Sequence, residues 1–404
     1  MRVVVNRLSV LGQKTGVGHY TAELLRCLTT QAGAEQIACY PNGWVWPLLR
    51  CWWSVRPSAD ATTTSASVLS PSRPASVLSR VKRAAGRGLI ALKDKVTSRN
   101  FRAVFVEQPC DLYHEPNHIP LPCDRRTLVT IHDLSALLHP EWHPPGRVAY
   151  YEKHFPRTLS QACHFLTDCD FIRREVIQAL GVPPERVTRI YLGIRPGLTP
   201  LPAATVRRVL HRLGLPPQYL LYVGTIEPRK NLLMLLRAYC ALPDELRRRC
   251  PLLLVGRWGW NAGDVAEQLH AEAKHRGVIH LGYVPERHLA ALYNGALALV
   301  YPSLYEGFGF PPLEMMACGG AVLASTAGAL VEIVGGAAHL LDPNDVEGWR
   351  DALARVATDA DWRRRLESGA EALTRPFTWE RCAAETLQVY RDLCSVSAGR
   401  RLAG

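Results

Sequence analysis

Residues Pro302–Gly320 read PSLYEGFGFPPLEMMACGG, which places Glu306 and Glu314 on either side of a turn rich in glycine and proline. The apolar run Ala296–Tyr301 leads into this stretch, and a short apolar run bounded by turn residues predicts a buried strand. After the two prolines, LEMMACG predicts a helix closed by glycine. One carboxylate then stands at a strand exit and the other in a helix. Ligands of an open α/β sheet bind in the crevice at the carboxyl ends of the strands, so both glutamates are expected to face a substrate. Eight helical rises would separate them by about 12 Å, beyond the roughly 5 to 9.5 Å of an acid–base pair in glycoside hydrolysis.

Working outward, strands at Tyr219–Val223, Leu252–Val255 and Ile279–Leu281 alternate with helices from Leu232, over Val265–Arg276 and near Leu289–Asn294. Alternation of this kind predicts a parallel sheet with helices on both faces. The first half of the chain repeats the pattern. Its strands are Arg2–Leu8, Asp111–Tyr113, Thr127–Ile131, Phe165–Thr167 and Val187–Tyr191, with a helix carrying Ala22, Leu24, Leu25 and Leu28 and another over Phe171–Leu180. Pro196–Pro217 reads as a hinge. A chain of 404 residues is long enough for two domains of roughly 150 to 200 residues. The expected fold is therefore α/β, with Rossmann-like doubly wound domains at 1–197 and 198–375. Segment 376–404 then holds a closing helix over Trp379–Leu393, capped by Thr378.

Hydrophobic residues make up 48% and charged residues 21%, as in a soluble globular protein. The 48 Lys+Arg against 36 Asp+Glu leave +12, which favours anionic partners: nucleic acid, phosphorylated ligands or an acidic membrane surface. The 12 cysteines form no CxxC pair and no zinc-type spacing, and no cleavable signal precedes the first strand, so reduced cysteines in a cytoplasm are expected. No apolar run approaches the roughly 20 residues of a membrane span.

Between about 45 and 100 the alternation dissolves into an insertion. Trp44, Trp46, Trp52 and Trp53 are followed by a Ser/Thr/Ala/Pro-rich stretch and then by RVKRAAGRGLIALKDKVTSR at Arg80–Arg99. Val81, Leu89, Leu92 and Val96 form an apolar stripe beside seven basic residues, a pattern suited to docking on anionic lipid or to a solvated basic helix.

Several polar residues stand at strand ends. The strand Thr127–Ile131 ends in His132-Asp133, which places an imidazole at the ligand crevice. Asp168-Cys169-Asp170 has the form of a DxD metal motif but sits where a helix N-cap is wanted, and the cap is the preferred reading. Gly16 and Gly18, in GQKTGVGHYT, form a glycine-rich turn between a strand and a helix, either a phosphate cradle or a plain tight connection. Arg229 and Lys230 precede the helix at Leu232. Fixed cations beside a helix N-terminus suit the stabilisation of a departing diphosphate.

Together these pieces resemble a family 4 glycosyltransferase of the GT-B fold. The likeness runs through TGVGHYT, DLYHEPNHIP, TIHDLS, YVGTIEPRKNL, LGYVPERHLAALY, YPSLYEGFGFPPLEMMACGG, VEIVGGAA and LDPND, and the closing FTWERCAAETLQVYRDL resembles a helix that crosses back to the first domain. Glu306 and Glu314 match the family's E-x7-E signature. The resemblance implies that Glu306 contacts the donor sugar, Glu314 clamps the ribose and Lys230 with Arg229 binds the diphosphate. It also implies that His132 lines the sugar pocket, that Gly307, Phe308 and Gly309 approach sugar or phosphate, and that the Gly16–Gly18 loop closes over the diphosphate. Backbone at Gly282, Tyr283 and Val284 is expected to meet the base. Thr225 stands where many relatives carry an arginine, and Thr326 and Val331 replace an Asn and a Pro of the family pattern.

The resemblance implies a retaining, metal-independent transferase with no cofactor beyond its nucleotide-sugar donor, GDP-mannose being favoured by the PRKN and HEPN wording. Its acceptor would be lipid-linked or an oligosaccharide, its place the inner face of the cytoplasmic membrane, and nucleic acid no partner. A UDP-sugar donor, a GT-B sugar-nucleotide epimerase and a nucleic-acid-binding protein stand as alternatives.

Overall fold

The computed structural model describes residues 1–11, 16–33, 36–42, 47, 49, 99–101, 103–105 and 110–401. The expected insertion, with its four tryptophans and its basic segment, lies almost wholly outside these residues, as do Gly12–Thr15. The chain divides into two compact units. One contains Met1–Val129, Gln161–Cys163 and the end of the chain from Thr386; the other contains Thr130–Ser160 and His164–Glu385.

Among the described residues twelve strands form two six-stranded parallel sheets. The first sheet consists of β1 (Val3–Asn6), β2 (Ile37–Tyr40), β3 (Leu112–Glu115), β4 (Thr127–Ile131), β5 (Ala162–Thr167) and β6 (Val187–Arg189), ordered β2-β1-β3-β4-β5-β6. Val3, Val4 and Val5 of β1 have no exposed surface, because a central parallel strand is covered on both faces. Beside it Phe101 meets Tyr40 and Phe105 edge-on, at centroid distances of 4.8 and 4.7 Å.

The second sheet consists of β7 (Leu220–Val223), β8 (Leu252–Val255), β9 (Val278–Gly282), β10 (Ala298–Tyr301), β11 (Ala321–Ser325) and β12 (His339–Leu341), ordered β12-β11-β10-β7-β8-β9. LLLV in β8 and ALVY in β10 are apolar without alternation and buried throughout. The architecture is the expected pair of doubly wound sheets. The order reverses beside β1 and beside β7, and the strand ends around such switch points are where the polar residues of interest collect.

The structure departs locally from the sequence reading. The expected helix Val265–Arg276 is an α-helix at Gly263–Ala271 followed by a 3-10 turn at Ala273–Arg276. Gly277, at φ 92°, swings the chain into β9, and the preceding turn tightens to meet it. The strand before the glutamates begins at Ala298, because the preceding helix runs to Gly295. Strands β2, β11 and β12 were not anticipated. The closing helix runs Trp379–Arg401; Thr378 Oγ1 accepts the Arg381 amide at 3.2 Å as a cap. Further along, Tyr390 Oη lies 2.6 Å from His114 Nδ1 of β3.

Candidate active site

Between β7 and the helix Leu232–Cys240, Pro228–Lys230 forms a 3-10 turn ended by Asn231 in the left-handed region, at φ 57°. Asn231 Nδ2 donates to the carbonyls of Pro302, at 3.2 Å, and Pro343, at 2.7 Å. The first of these bonds ties the Arg-Lys turn to the exit of β10, where Glu306 lies, and the second ties it to the loop after β12. Lys230 Nζ donates to Glu306 Oε1 at 2.5 Å and Arg229 Nη1 to Oε2 at 3.0 Å, while Ser303 Oγ donates to Oε1 at 2.7 Å. Lys230 also donates to Tyr301 Oη at 2.9 Å, and Arg229 Nε pairs with Glu227 at 2.6 Å.

The electrostatics follow from burial set against pairing. Burial alone would raise the Glu306 carboxyl; the charges of Lys230 and Arg229, with hydrogen bonds from Lys230 and Ser303, outweigh it and bring it down to about 2. Burial and the neighbouring Arg229 lower Lys230, and the two glutamates only partly offset this. Arg229 is raised despite its burial, because Glu306 and Glu227 flank it. The free site is thus a charge-balanced cluster of two carboxylates and two cations.

A second loop locks onto this cluster. A Cβ on Gly307 would sit 2.0 Å from the His132 carbonyl oxygen, so only glycine lets the EGFG turn lie against the loop that follows β4. Gly328, at φ 61°, backs the same turn, where a Cβ would fall 2.6 Å from the Glu306 carbonyl oxygen. His132 is buried, and its Nδ1 lies 2.7 Å from Asp168 Oδ2 at the end of β5.

The Asp168-Cys169-Asp170 reading needs correction. The cap of the helix Asp170–Leu180 is Cys169, whose Sγ accepts the Ile172 amide at 3.4 Å and donates to the Gly307 carbonyl at 3.1 Å. Glu332 accepts the amides of Asp170 and Phe171, both at 2.8 Å. Neither aspartate caps the helix, because a sulfur and a distant carboxylate already satisfy its first amides. Among the described residues no group of three or more His, Cys, Asp or Glu is set to hold a metal ion.

The structure thus brings Glu306, Lys230 and Arg229 together and packs the backbone of His132 against Gly307, next to Glu306 in the chain. Glu314 has other company: Tyr293 Oη donates to it at 2.7 Å, and Arg195 Nε lies 3.2 Å from Oε1, which accepts no hydrogen bond among the described residues. The helix holding Glu314 begins at Phe310, so a separation of Glu306 and Glu314 by helical rises does not apply. Gly309, at φ 94°, opens that helix, and Phe308 packs on Phe310 and Phe377. Tyr283 is half-exposed, with the Arg257 guanidinium 4.9 Å from its ring centroid; Val284 is partly buried. Thr225 is exposed, and its carbonyl accepts Tyr222 Oη at 3.2 Å. Gly16 and Gly18 are not a loop but the first turn of the helix Gly16–Ala32, since neither takes the positive φ that a glycine turn would use.

Sequence reasoning missed Glu227, Ser303, Tyr301, Arg195 and Asp168. The rule that marked His132, a polar residue directly after a buried strand, marks Asp168 after β5 equally well. The others have no pattern of their own, since each matters only through a partner distant in sequence.

Residues 210–372 match the family described as glycosyl transferases group 1. The O-antigen chain mannosyltransferase B of Escherichia coli is 40% identical over 285 residues, covering 70% of this chain and 74% of that protein. The chain belongs to the group 1 glycosyl transferases. A serotype-specific mannosyltransferase WbdA of Escherichia coli is 27% identical over 95% of this glycosyltransferase, which spans 46% of that relative's length. The crystal structure of WaaG, a glycosyltransferase involved in lipopolysaccharide biosynthesis, superposes with a TM-score of 0.67 at 15% identity, covering 96% of this chain and 99% of that one. Anabaena HepE in complex with UDP and glucose gives 0.66 at 17% identity, covering 97% and 99%. The fold of this glycosyltransferase is GT-B. Among the described residues Cys39, Cys110, Cys123, Cys169, Cys240, Cys250 and Cys318 are free thiols, and no helix is long and apolar enough to cross a membrane.

Proposed function

We propose that this glycosyltransferase moves a mannosyl residue from GDP-mannose onto a membrane-associated glycan, lipid-linked or oligosaccharide, in the assembly of a surface polysaccharide. The observation that carries the reading is the Lys230–Glu306–Arg229 cluster in a chain 40% identical to a protein named an O-antigen chain mannosyltransferase. Segment 198–375 binds the donor and 1–197 the acceptor.

Arg229 and Lys230 meet the diphosphate and stabilise the charge that grows on it as the glycosidic bond breaks, the arginine through its forked donors. Glu306 accepts hydrogen bonds from hydroxyls of the sugar, and His132 forms the adjoining wall. The Glu314 oxygen that accepts no hydrogen bond suits a ribose hydroxyl, and Tyr283 with Val284 suits the base. The acceptor hydroxyl attacks on the face the nucleotide leaves, passing its proton to the departing phosphate oxygen, so the anomeric configuration is retained. No metal or further cofactor takes part. The basic stretch Arg80–Arg99 holds the enzyme on anionic lipid at the inner face of the cytoplasmic membrane.

A thermal-shift screen of nucleotides tests the donor: stabilisation by GDP well above UDP supports the reading, and the reverse assigns a UDP-sugar instead. Transfer from GDP-mannose undiminished by EDTA, with an α-linked product by NMR, is expected. A β-linked product overturns retention, and release of a free sugar in place of transfer returns the epimerase.

A further inference from the structure

We propose that Asp168 is a positioning residue for transfer: it fixes the ring orientation and tautomer of His132, so that Nε2 is the nitrogen turned to the donor sugar. The inference rests on the reading of His132 as a wall of the sugar pocket and adds the group that makes that wall specific.

Three observations carry it. The first is geometric: His132 and Asp168 stand at the ends of β4 and β5, 2.7 Å apart, with side chains only 10% and 4% exposed. A carboxylate oxygen at that distance requires a proton on Nδ1, which leaves Nε2 as the nitrogen with the lone pair. The second is that Asp168 does not cap the helix beside it. The helix that begins two residues later is capped by Cys169, and its first amides are taken by Glu332. The third is that Asp168 Oδ1 is buried and has no hydrogen-bond partner among the described residues. A buried oxygen left unsatisfied opposes folding, and native chains retain such groups mainly where function uses them. Burial raises the Asp168 carboxyl, the charge and hydrogen bond of His132 only partly offset this, and Asp133 adds to the rise. The packing of Gly307 on the His132 carbonyl fixes the backbone, so the carboxylate has only the ring left to hold.

The test uses the full-length enzyme, Asp168→Asn, His132→Gln and the double variant. Asp168→Asn is expected to lower kcat about 10- to 100-fold, the range for partners that orient a functional histidine, with the donor Kd within twofold of wild type. In the His132→Gln background the same change is expected to have no further effect, because a residue that acts through another is not additive with it. Nitrogen-15 NMR of histidine-labelled wild-type enzyme is expected to show His132 protonated on Nδ1. A wild-type ring protonated only on Nε2 overturns the proposal without any variant. So do additive losses in the double variant, or normal kcat in Asp168→Asn while His132→Gln is impaired. Full turnover in His132→Gln instead overturns the reading of the pocket itself.

Discussion

Lys230 Nζ and Glu306 Oε1 stand 2.5 Å apart, both side chains at most 7% exposed, so in the free enzyme the cation proposed for the diphosphate is held by the carboxylate proposed for the sugar. Removing one partner of such a pair leaves a buried charge uncompensated. Lys230→Ala is expected to lower kcat by about 100- to 1,000-fold, as for loss of one strong transition-state contact, and to cost about 3 kcal/mol of stability. The double variant Lys230→Ala/Glu306→Gln should recover much of that stability and none of the activity. Thermal unfolding and initial rates on the three proteins separate the two effects; near-normal turnover in Lys230→Ala would remove the diphosphate role.

Acid should find Glu306 late. Its carboxyl is lowered from 4.5 to about 2, so its stabilising contribution is complete above the ordinary carboxylate range and is lost as pH falls from about 4.5 toward 2. Glu306→Gln should therefore flatten the pH dependence of the urea midpoint within that window and leave its slope above pH 5 unchanged. Equal slopes in both proteins across the window would show that Glu306 is not held ionised by its partners.

Gly307→Ala should separate the two loops. The added methyl meets a backbone oxygen at 2.0 Å and no flexible side chain can give way, so a loss of at least 1–3 kcal/mol is expected, together with a tenfold or greater fall in transfer. Gly263→Ala, with nothing within 4 Å, is the control and should be neutral or slightly stabilising. Differential scanning calorimetry of the two variants checks the contrast.

Glu332→Ala removes the acceptor of the Asp170 and Phe171 amides and of Tyr191 Oη, the last at 3.0 Å. A loss of about 1–2 kcal/mol is expected from an anionic group at a helix N-terminus, with the donor Kd unchanged. Denaturant titration and calorimetric donor binding measure the two; a weakened Kd with normal stability would place Glu332 in the donor site instead.

Sequence alone carried the fold a long way, because parallel strands buried on both faces leave continuous apolar runs such as LLLV in β8 that need little context. Short edge strands leave no such trace: His339–Leu341 of β12 is three residues long and half-buried. Within the site, the residues adjacent in sequence, Arg229 and Lys230, were legible as a unit. Asp168 was read as a helix cap because its own neighbourhood calls for one. Only the fold shows that Cys169 and Glu332 had already filled that role. The turn reading of Gly16 and Gly18 failed for a similar reason, since a glycine pair reads alike in a turn and in the first turn of a helix.

The balance of charge at Glu306 bears on the donor role proposed for it. Glu227, Arg229, Lys230 and Glu306 cancel, so the cluster does not share in the +12 of the whole chain. On the proposed roles, a diphosphate would take Arg229 and Lys230 from Glu306, and the carboxylate would become available to sugar hydroxyls only then. Nucleotide and sugar would then be read as one object, and a free hexose would find its proposed acceptor group already taken.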